Sequence, residues 1–225
     1  MVFKFLRGEG GERLDSIEAK VQTMLAHDRY EFGLAMSALL GDVAADEVND
    51  DLRAIDQEVN RLEREIRREL LVHASVFGGI DTPAVLLYMS IVKDIERVGD
   101  YAKNLLDLAR DGASFAGVPD AAEWRRLSGE LSHLITDAGE AFQRRDADRG
   151  RSLHARGDGL LTLFDQRVSA LVREDARGVQ AVARALAYRY LKRVVAHLMN
   201  LLSAVIMPLD RLNYFDEDPE DRAGG

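Results

Sequence analysis

Glu96, Asp100 and Asn104 recur at steps of four, and on a helix that spacing places them within about 80° of one face. Val98, Ala102, Leu105 and Ala109 fall on the opposite side. Three oxygen-bearing side chains therefore project together from the polar side of an amphipathic helix. Two carboxylates one turn apart repel each other unless a cation, a basic residue or a proton intervenes. Oxygen ligands of this kind suit hard ions such as Mg, Ca, Mn or Fe. Asp56 and Asn60, also one turn apart on the preceding helix, are placed to complete the shell. One reading is thus a metal site built from Asp56, Asn60, Glu96, Asp100 and Asn104. The other is a solvated face of ion pairs, because Lys93, Arg97 and Lys103 stand beside these residues and surface pairs are common and weak.

Other chemistry fails on counting. A ferritin-like di-iron bundle needs Glu-x-x-His pairs from two helices, and only Glu130 with His133 has that spacing. The histidines His27, His73, His133, His154 and His197 form no close cluster in the sequence, which leaves zinc without an evident home. No cysteine is present, so disulfides, thiolate metal sites and cysteine nucleophiles are excluded. There is no phosphate-binding P-loop, no nucleophile elbow and no glycine-rich dinucleotide fingerprint. No catalytic residue is expected. Trp124, Tyr188, Tyr190, Tyr214 and Phe215 read as core or contact residues, and His197, beside Leu198 and Met199, as a buried or interface histidine.

The elements that must position these residues are helices. Val48, Leu52, Ile55, Val59, Leu62, Ile66 and Leu70 recur at steps of four and three, one apolar stripe on a helix of about thirty residues. A first helix is expected from Glu12 to about Leu40, with Asp42 placed to cap the second. Gly78 and Gly79 break the second helix, and Asp81 or Thr82 caps a third whose first turn holds Pro83 and which ends near Arg110. Asp111 to Pro119 is turn-rich and reads as a linker, with Asp120 as the next cap. Three further helices follow, over about 120–145, 147–175 and 178–207, with Gly157, Gly159 and Gly178 as weak points. Their order gives an all-α chain of six long helices, divided into a mobile N-terminus (1–11), a first unit (12–112), a linker (113–119), a second unit (120–209) and an acidic tail (210–225).

The two units resemble each other. Arg97-Val98 followed by Asn104-Leu105-Leu106 matches Arg193-Val194 followed by Asn200-Leu201-Leu202, each pair 96 positions apart. Ile55-Asp56-Gln57 and Val59 match Phe164-Asp165-Gln166 and Val168 at an offset of 109. Two tandem three-helix units with inward stripes pack as bundles. At the acidic positions the repeat departs from itself. Glu96 maps to Lys192, Asp100 to Ala196 and Asn60 to Ser169, while Asp165 survives. A protonated lysine can replace a cation electrostatically but cannot coordinate one, so at most one metal site is expected, in the first half.

The segment Asp94-Ile-Glu96-Arg97-Val-Gly99-Asp100-Tyr-Ala-Lys-Asn104, with Asp56-Gln-Glu-Val-Asn60 before it, resembles the signature of the PhoU family. That resemblance implies two PhoU-like three-helix bundles and a regulator acting on a phosphate transporter and its sensor kinase. It also implies that a divalent or ferric ion (Fe, Mn, Mg, Ca or Zn) is held at Glu96 and Asp100. The stretch Gly78-Gly79-Ile80-Asp81-Thr82-Pro83 departs from the family pattern. Regulation of a different ion transporter, a metal-binding bundle, and a structural protein dimerising through its apolar C-terminal helix are the competing readings.

Charge and hydropathy narrow the partners. With 225 residues, 47% apolar and 31% charged, the chain can bury a sizeable core. A net charge of −9 disfavours nucleic acid and anionic membrane. Val194 to Leu209 is the longest uncharged run, yet it contains His197, Asn200, Ser203 and Pro208 and falls short of the ~20 apolar residues of a membrane span. The opening Met1 to Arg7 is too short in apolar character for a signal peptide. The expectation is a cytoplasmic homodimer, without membrane span or nucleic acid, that contacts the cytoplasmic parts of a transporter or sensor kinase.

Overall fold

The computed structural model describes residues 11–173 and 179–212. The proposed N-terminal segment up to residue 10, Gly178, and the tail from residue 213 with Tyr214 and Phe215 lie outside the described residues. So do the expected end of the fifth helix and start of the sixth. Six α-helices and no strand are found among the described residues: α1 Gly11–Leu39, α2 Ala45–Phe77, α3 Thr82–Arg110, α4 Ala121–Arg144, α5 Ala147–Arg173 and α6 Val179–Ile206.

The stripe on α2 explains how these helices meet. Val48, Leu52, Val59, Leu62, Ile66 and Leu70 are buried, each contributing about 1.5–3 kcal/mol through the area it removes from water. α1, α2 and α3 pack on one another, as do α5 and α6, with α4 against both. The seam between the two groups is formed by α3 on α6 and α1 on α4. The apolar face of α6 is used within the chain: Val194, Val195, Leu198, Leu201 and Leu202 are buried, while Val182 and Leu186 nearer the start of the same helix are exposed. No described helix is long and apolar enough to cross a membrane.

Contacts across the seam come in exchanged pairs. Asp94 meets His197 and Tyr101 meets Tyr190; adding 96 to each α3 number and subtracting 96 from each α6 number turns one pair into the other. On the other side, Gln22 donates to the Gly139 carbonyl and Arg29 to Ser132, and these exchange at an offset of 110. At the centre of the seam Tyr101 stacks on His197, ring centroids 5.8 Å apart.

The expected caps are engaged elsewhere. α2 begins at Ala45, and Asp42 instead receives the Arg125 guanidinium of α4 at 3.1–3.2 Å. Asp81 and Asp120 occupy cap positions without side-chain cap bonds. Asp81 pairs with His73 at 2.9 Å, while Asp120 accepts from Arg184 and Tyr188 at 2.6 and 3.1 Å. Gly78 and Gly79 sit in a 3-10 turn, Gly78–Asp81, and Pro83 occupies the first turn of α3 as expected. The segment 113–119 is docked rather than free: the Phe115 amide donates to the Leu39 carbonyl. Its ring packs 4.4 Å from that of Trp124, which lies 4.2 Å from Tyr188.

Candidate functional site: a buried carboxylate cluster

Residues of three helices converge where α1 crosses α3. The inner face of α1 runs Met24, Leu25, Asp28, Glu31, Phe32, Ala35, Met36, all buried, and the two carboxylates interrupt an otherwise apolar stripe. Asp28 and Glu31 are both 0% exposed. None of their four carboxylate oxygens has a hydrogen-bond partner. They point at Gly99 of α3, where an added Cβ would stand 2.7 Å from Glu31 Oε2 and 3.0 Å from Asp28 Oδ1. Only a residue without a side chain allows the two acids to approach the α3 backbone this closely.

Glu96 and Asp100 flank Gly99, and both are half-buried rather than fully projected into solvent. Lys103 Nζ bridges two helices, 2.6 Å from Asp56 Oδ1 on α2 and 2.7 Å from Asp100 Oδ1. Arg97 lies 2.7 Å from Asp100 Oδ2 and 3.6 Å from Glu96 Oε2. Asn60 donates to Asp56 Oδ2 at 3.2 Å. Asn104 lines a neighbouring open cleft of about 400 Å³ with Arg53, Tyr101 and Asp107. Of the five residues read from the sequence as ligands, Asp56, Glu96 and Asp100 are thus brought to one electrostatic cluster. Asn60 supports Asp56, and Asn104 faces the cleft. The ion-pair reading is realised at Asp56 and Asp100 through Lys103 and Arg97, but not at Asp28 or Glu31.

The imbalance of charge shows in the proton affinities. Burial, followed by the nearby charges of Glu31, Glu96, Asp56 and Asp100, raises Asp28 well above the usual carboxylate range. Burial first, then Asp56 and Asp100, pushes Glu31 up to about 8, with Lys103 opposing. Glu96 is raised to about 7 by burial and then by Asp100. Burial works against the Lys103 charge, yet its bonds to Asp100 and Asp56 win and raise its pKa. Five carboxylates surround two cations, and the site's remedy is either protons or a further cation.

Among the described residues, no three His, Asp or Glu side chains are gathered closely enough to chelate a metal ion as they stand. The donor set nonetheless fits a hard cation chemically. It is all oxygen, and buried acids without partners are costly unless paired, protonated or metal-bound. Asp28 and Glu31 were not legible as site residues from the spacing on α3. The available signal was two acids three apart inside the apolar stripe of α1.

Among the described residues, the second half has no such cluster. Lys192 Nζ pairs with Asp165 at 2.6 Å, and Arg189 with the same residue at 3.1 Å. Asp165 is not the spatial counterpart of Asp56. Its partners correspond, at the 96-residue offset of α3 and α6, to Glu96 and Lys93, whereas Asp56 meets Lys103, about two turns away. The 109-residue match rests on similar helix faces in a different register.

Comparison with known proteins gives a consistent relationship. The PhoU domain family matches residues 21–109, which contain the whole cluster. The phosphate-specific transport system accessory protein PhoU homolog of Deinococcus radiodurans is 30% identical over 205 residues, covering 86% of this chain and 85% of that one. The protein of the same description from Pseudomonas aeruginosa is 26% identical over 193 residues, 77% and 78% of the two chains. Among solved structures, PhoU from Pseudomonas aeruginosa superposes with a TM-score of 0.79 at 23% identity, covering 90% of this chain and 99% of that one. The phosphate transport system regulatory protein PhoU from Streptococcus pneumoniae does so at 0.70 and 15%, covering 91% and 96%.

Proposed function

The chain belongs to the PhoU family, and from that premise we propose that it restrains phosphate uptake by binding the cytoplasmic part of a phosphate transporter or its sensor kinase, rather than by turnover. The observation that carries this reading is the relationship to phosphate-specific transport accessory proteins over most of both chains. The fold supports it: six packed helices without a membrane-spanning one among those described require a partner to supply the transmembrane step. We take α1–α3 and α4–α6 as two PhoU-like units, and the protein as a cytoplasmic homodimer without a nucleic-acid partner. A contact worth ~1–3 kcal/mol more in one partner state than another shifts that equilibrium about 5–150-fold.

Deleting the gene and measuring phosphate accumulation and uptake-gene expression in phosphate-replete cells tests this reading. Derepression reversed by the wild-type protein is expected. Unchanged phosphate handling with altered transport of another ion would assign the protein to a different transporter.

A second reading is favoured by the unpartnered acids of α1. A divalent or ferric cation at the first-half cluster, held by Glu96 and Asp100 with Asp56, Asn60 and Asn104 around them, neutralises charge that the chain's own lysine and arginine leave over. Its role is to fix the packing of α1, α2 and α3, and so the surface offered to a partner.

A further inference from the structure

We propose that the solvent face of α3 and α6 is a docking surface for a homodimeric, acidic protein partner, with one chain lying across the partner's two-fold axis: four cations at the centre and an aliphatic contact at either end. This rests on the partner-binding reading above and gives it a surface and a symmetry.

Leu86, Lys93 and Arg97 follow one another at steps of seven and four on α3, which keeps them on one helix face. Val182, Arg189 and Arg193 repeat that pattern on α6, each 96 positions later. Leu86 is 53% and Val182 61% exposed, and none of the six side chains is buried. Elsewhere on the same two helices the repeat has drifted, Glu96 to Lys192 and Asp100 to Ala196. Surface substitutions scarcely change stability, so folding alone gives no reason to keep an aliphatic residue and two cations in both halves.

The seam turns the two stripes into one line. α3 and α6 run antiparallel, with Asp94 opposite His197 and Tyr101 opposite Tyr190. On that register Arg193 stands level with Val98, Arg189 with Ala102 and Val182 with Ala109. The order along the seam is therefore Leu86, Lys93, Arg97, Arg193, Arg189, Val182. At the rise of an α-helix the aliphatic ends are about 35 Å apart and the cations fill about the middle 14 Å. The neighbouring helices widen each end. Leu71 of α2 is 62% exposed and Val172 of α5 73%, and each stands within a turn of Leu86 or Val182 on the registers set by Asp56 with Lys103 and Asp165 with Lys192.

Charge and symmetry select the occupant. Arg97 is paired with Asp100 and Arg189 with Asp165. Among the described residues no carboxylate pairs with Lys93 or with Arg193, which meets Tyr101 alone. Cations left over at the centre of the face attract an acidic surface, even on a chain of net charge −9. A second copy of this chain, face to face, sets the same cations against each other, and the net charge opposes an anionic bilayer. A partner whose two-fold axis falls on the pseudo-axis of the seam meets the same cations and the same aliphatic end twice, and two linked contacts bind far more tightly than either alone.

The probes are the cytoplasmic subunit of the phosphate transporter and the cytoplasmic region of its sensor kinase, each purified as a homodimer and titrated calorimetrically with the full-length protein. Wild type is expected to bind one of the two, at one chain to two partner subunits, with an affinity that falls as salt rises. Leu86→Asp and Val182→Asp, both at exposed positions, are expected to keep the helical signal and each to weaken binding about tenfold or more. Lys93→Glu with Arg189→Glu is expected to weaken it likewise and to flatten the salt dependence. Wild-type affinity in all of these variants overturns the docking face and leaves the partner reading intact. A loss confined to one end overturns the two-fold arrangement, and no binding of wild type to either probe removes the partner reading together with the face. Binding to vesicles of phosphatidylcholine and phosphatidylserine in equal parts that the aspartate variants abolish, with both protein probes bound as by wild type, assigns the face to a membrane instead. Loss of self-association in the same variants by sedimentation equilibrium, again with the probes bound as by wild type, assigns it to a second copy.

Discussion

Glu31 illustrates how a single side chain records its surroundings. Its carboxyl is held at about 8 instead of 4.5, first by burial and then by the acids facing it. The folded protein therefore keeps a proton that the unfolded chain releases above about pH 4.5. Where the folded state binds more protons, stability falls as pH rises. This contribution is complete below the unfolded pKa and is lost as pH climbs to about 8. In chelator-treated protein, Glu31→Gln is expected to match wild type near pH 5 and to exceed it by ~2–4 kcal/mol near pH 8. Urea denaturation across that range measures the difference, in which groups common to both proteins cancel. Parallel stability curves would contradict the assigned burial of a strained acid. The cluster is thus a reserve of unfavourable charge, which is what gives a cation, a proton or Lys103 something to gain by entering.

At the scale of the helix, the departures from sequence expectation share one cause. Asp42, Asp81 and Asp120 are good capping residues, yet each is drawn to a side chain on another helix: Arg125, His73 and Arg184 respectively. Asp42 and Asp120 are bound to guanidinium groups, and such a charge-assisted bond is about twice as strong as a neutral one, so there the cap bond is the weaker competitor. Where no such partner competes, the local rule holds: the Asp146 carboxylate accepts from the Arg149 amide at 2.9 Å, and Asp146→Ala is expected to cost about 1 kcal/mol. The glycines of α5 separate in the same way. Gly157 lies against Met199, and an added Cβ would meet its Sδ at 2.7 Å, whereas Gly159 has nothing within 4 Å. Gly159→Ala is therefore expected to stabilise by ~0.5–1 kcal/mol through helix propensity. Gly157→Ala is expected to destabilise by about 1 kcal/mol because overpacking outweighs that gain. Thermal unfolding of the two variants decides; a stabilised Gly157→Ala would show that Met199 yields freely.

The whole molecule is held together by a seam with a polar centre. Asp94 Oδ1 accepts from His197 and Asn200 of α6, each at 2.8 Å, in a region where Asp94, His197 and Asn200 are all buried. Removing one partner from a buried polar network costs more than the bond itself, because the others remain desolvated. Asp94→Ala is expected to lose ~2–4 kcal/mol, with hydrogen exchange accelerated in α3 and α6 before α2. Uniform acceleration across all helices would mean that the seam is not a separate unit of stability. The same geometry links the seam to the carboxylate cluster, since Asp94, Glu96, Gly99, Asp100 and Tyr101 lie within about two turns of α3. A change on one face of that helix is therefore positioned to be felt on the other.

The periodicity of apolar residues and the glycine- and proline-rich breaks by themselves determined that the described residues are helical and form six helices, because burial of a stripe every three to four residues is a local property of the chain. The acidic spacing on α3 likewise pointed to Glu96 and Asp100, and the one-turn pair with Asn60 on α2 to Asp56. Tertiary structure alone decided the rest. Asp28 and Glu31 joined the site because α1 crosses α3 at Gly99, a contact between positions some seventy residues apart that no spacing rule contains. The register of Asp165 against α6 and the diversion of three capping aspartates were settled in the same way. In each case a polar group chose its partner by charge and proximity in space, and electrostatic energy depends on distance through the fold, not on separation along the chain.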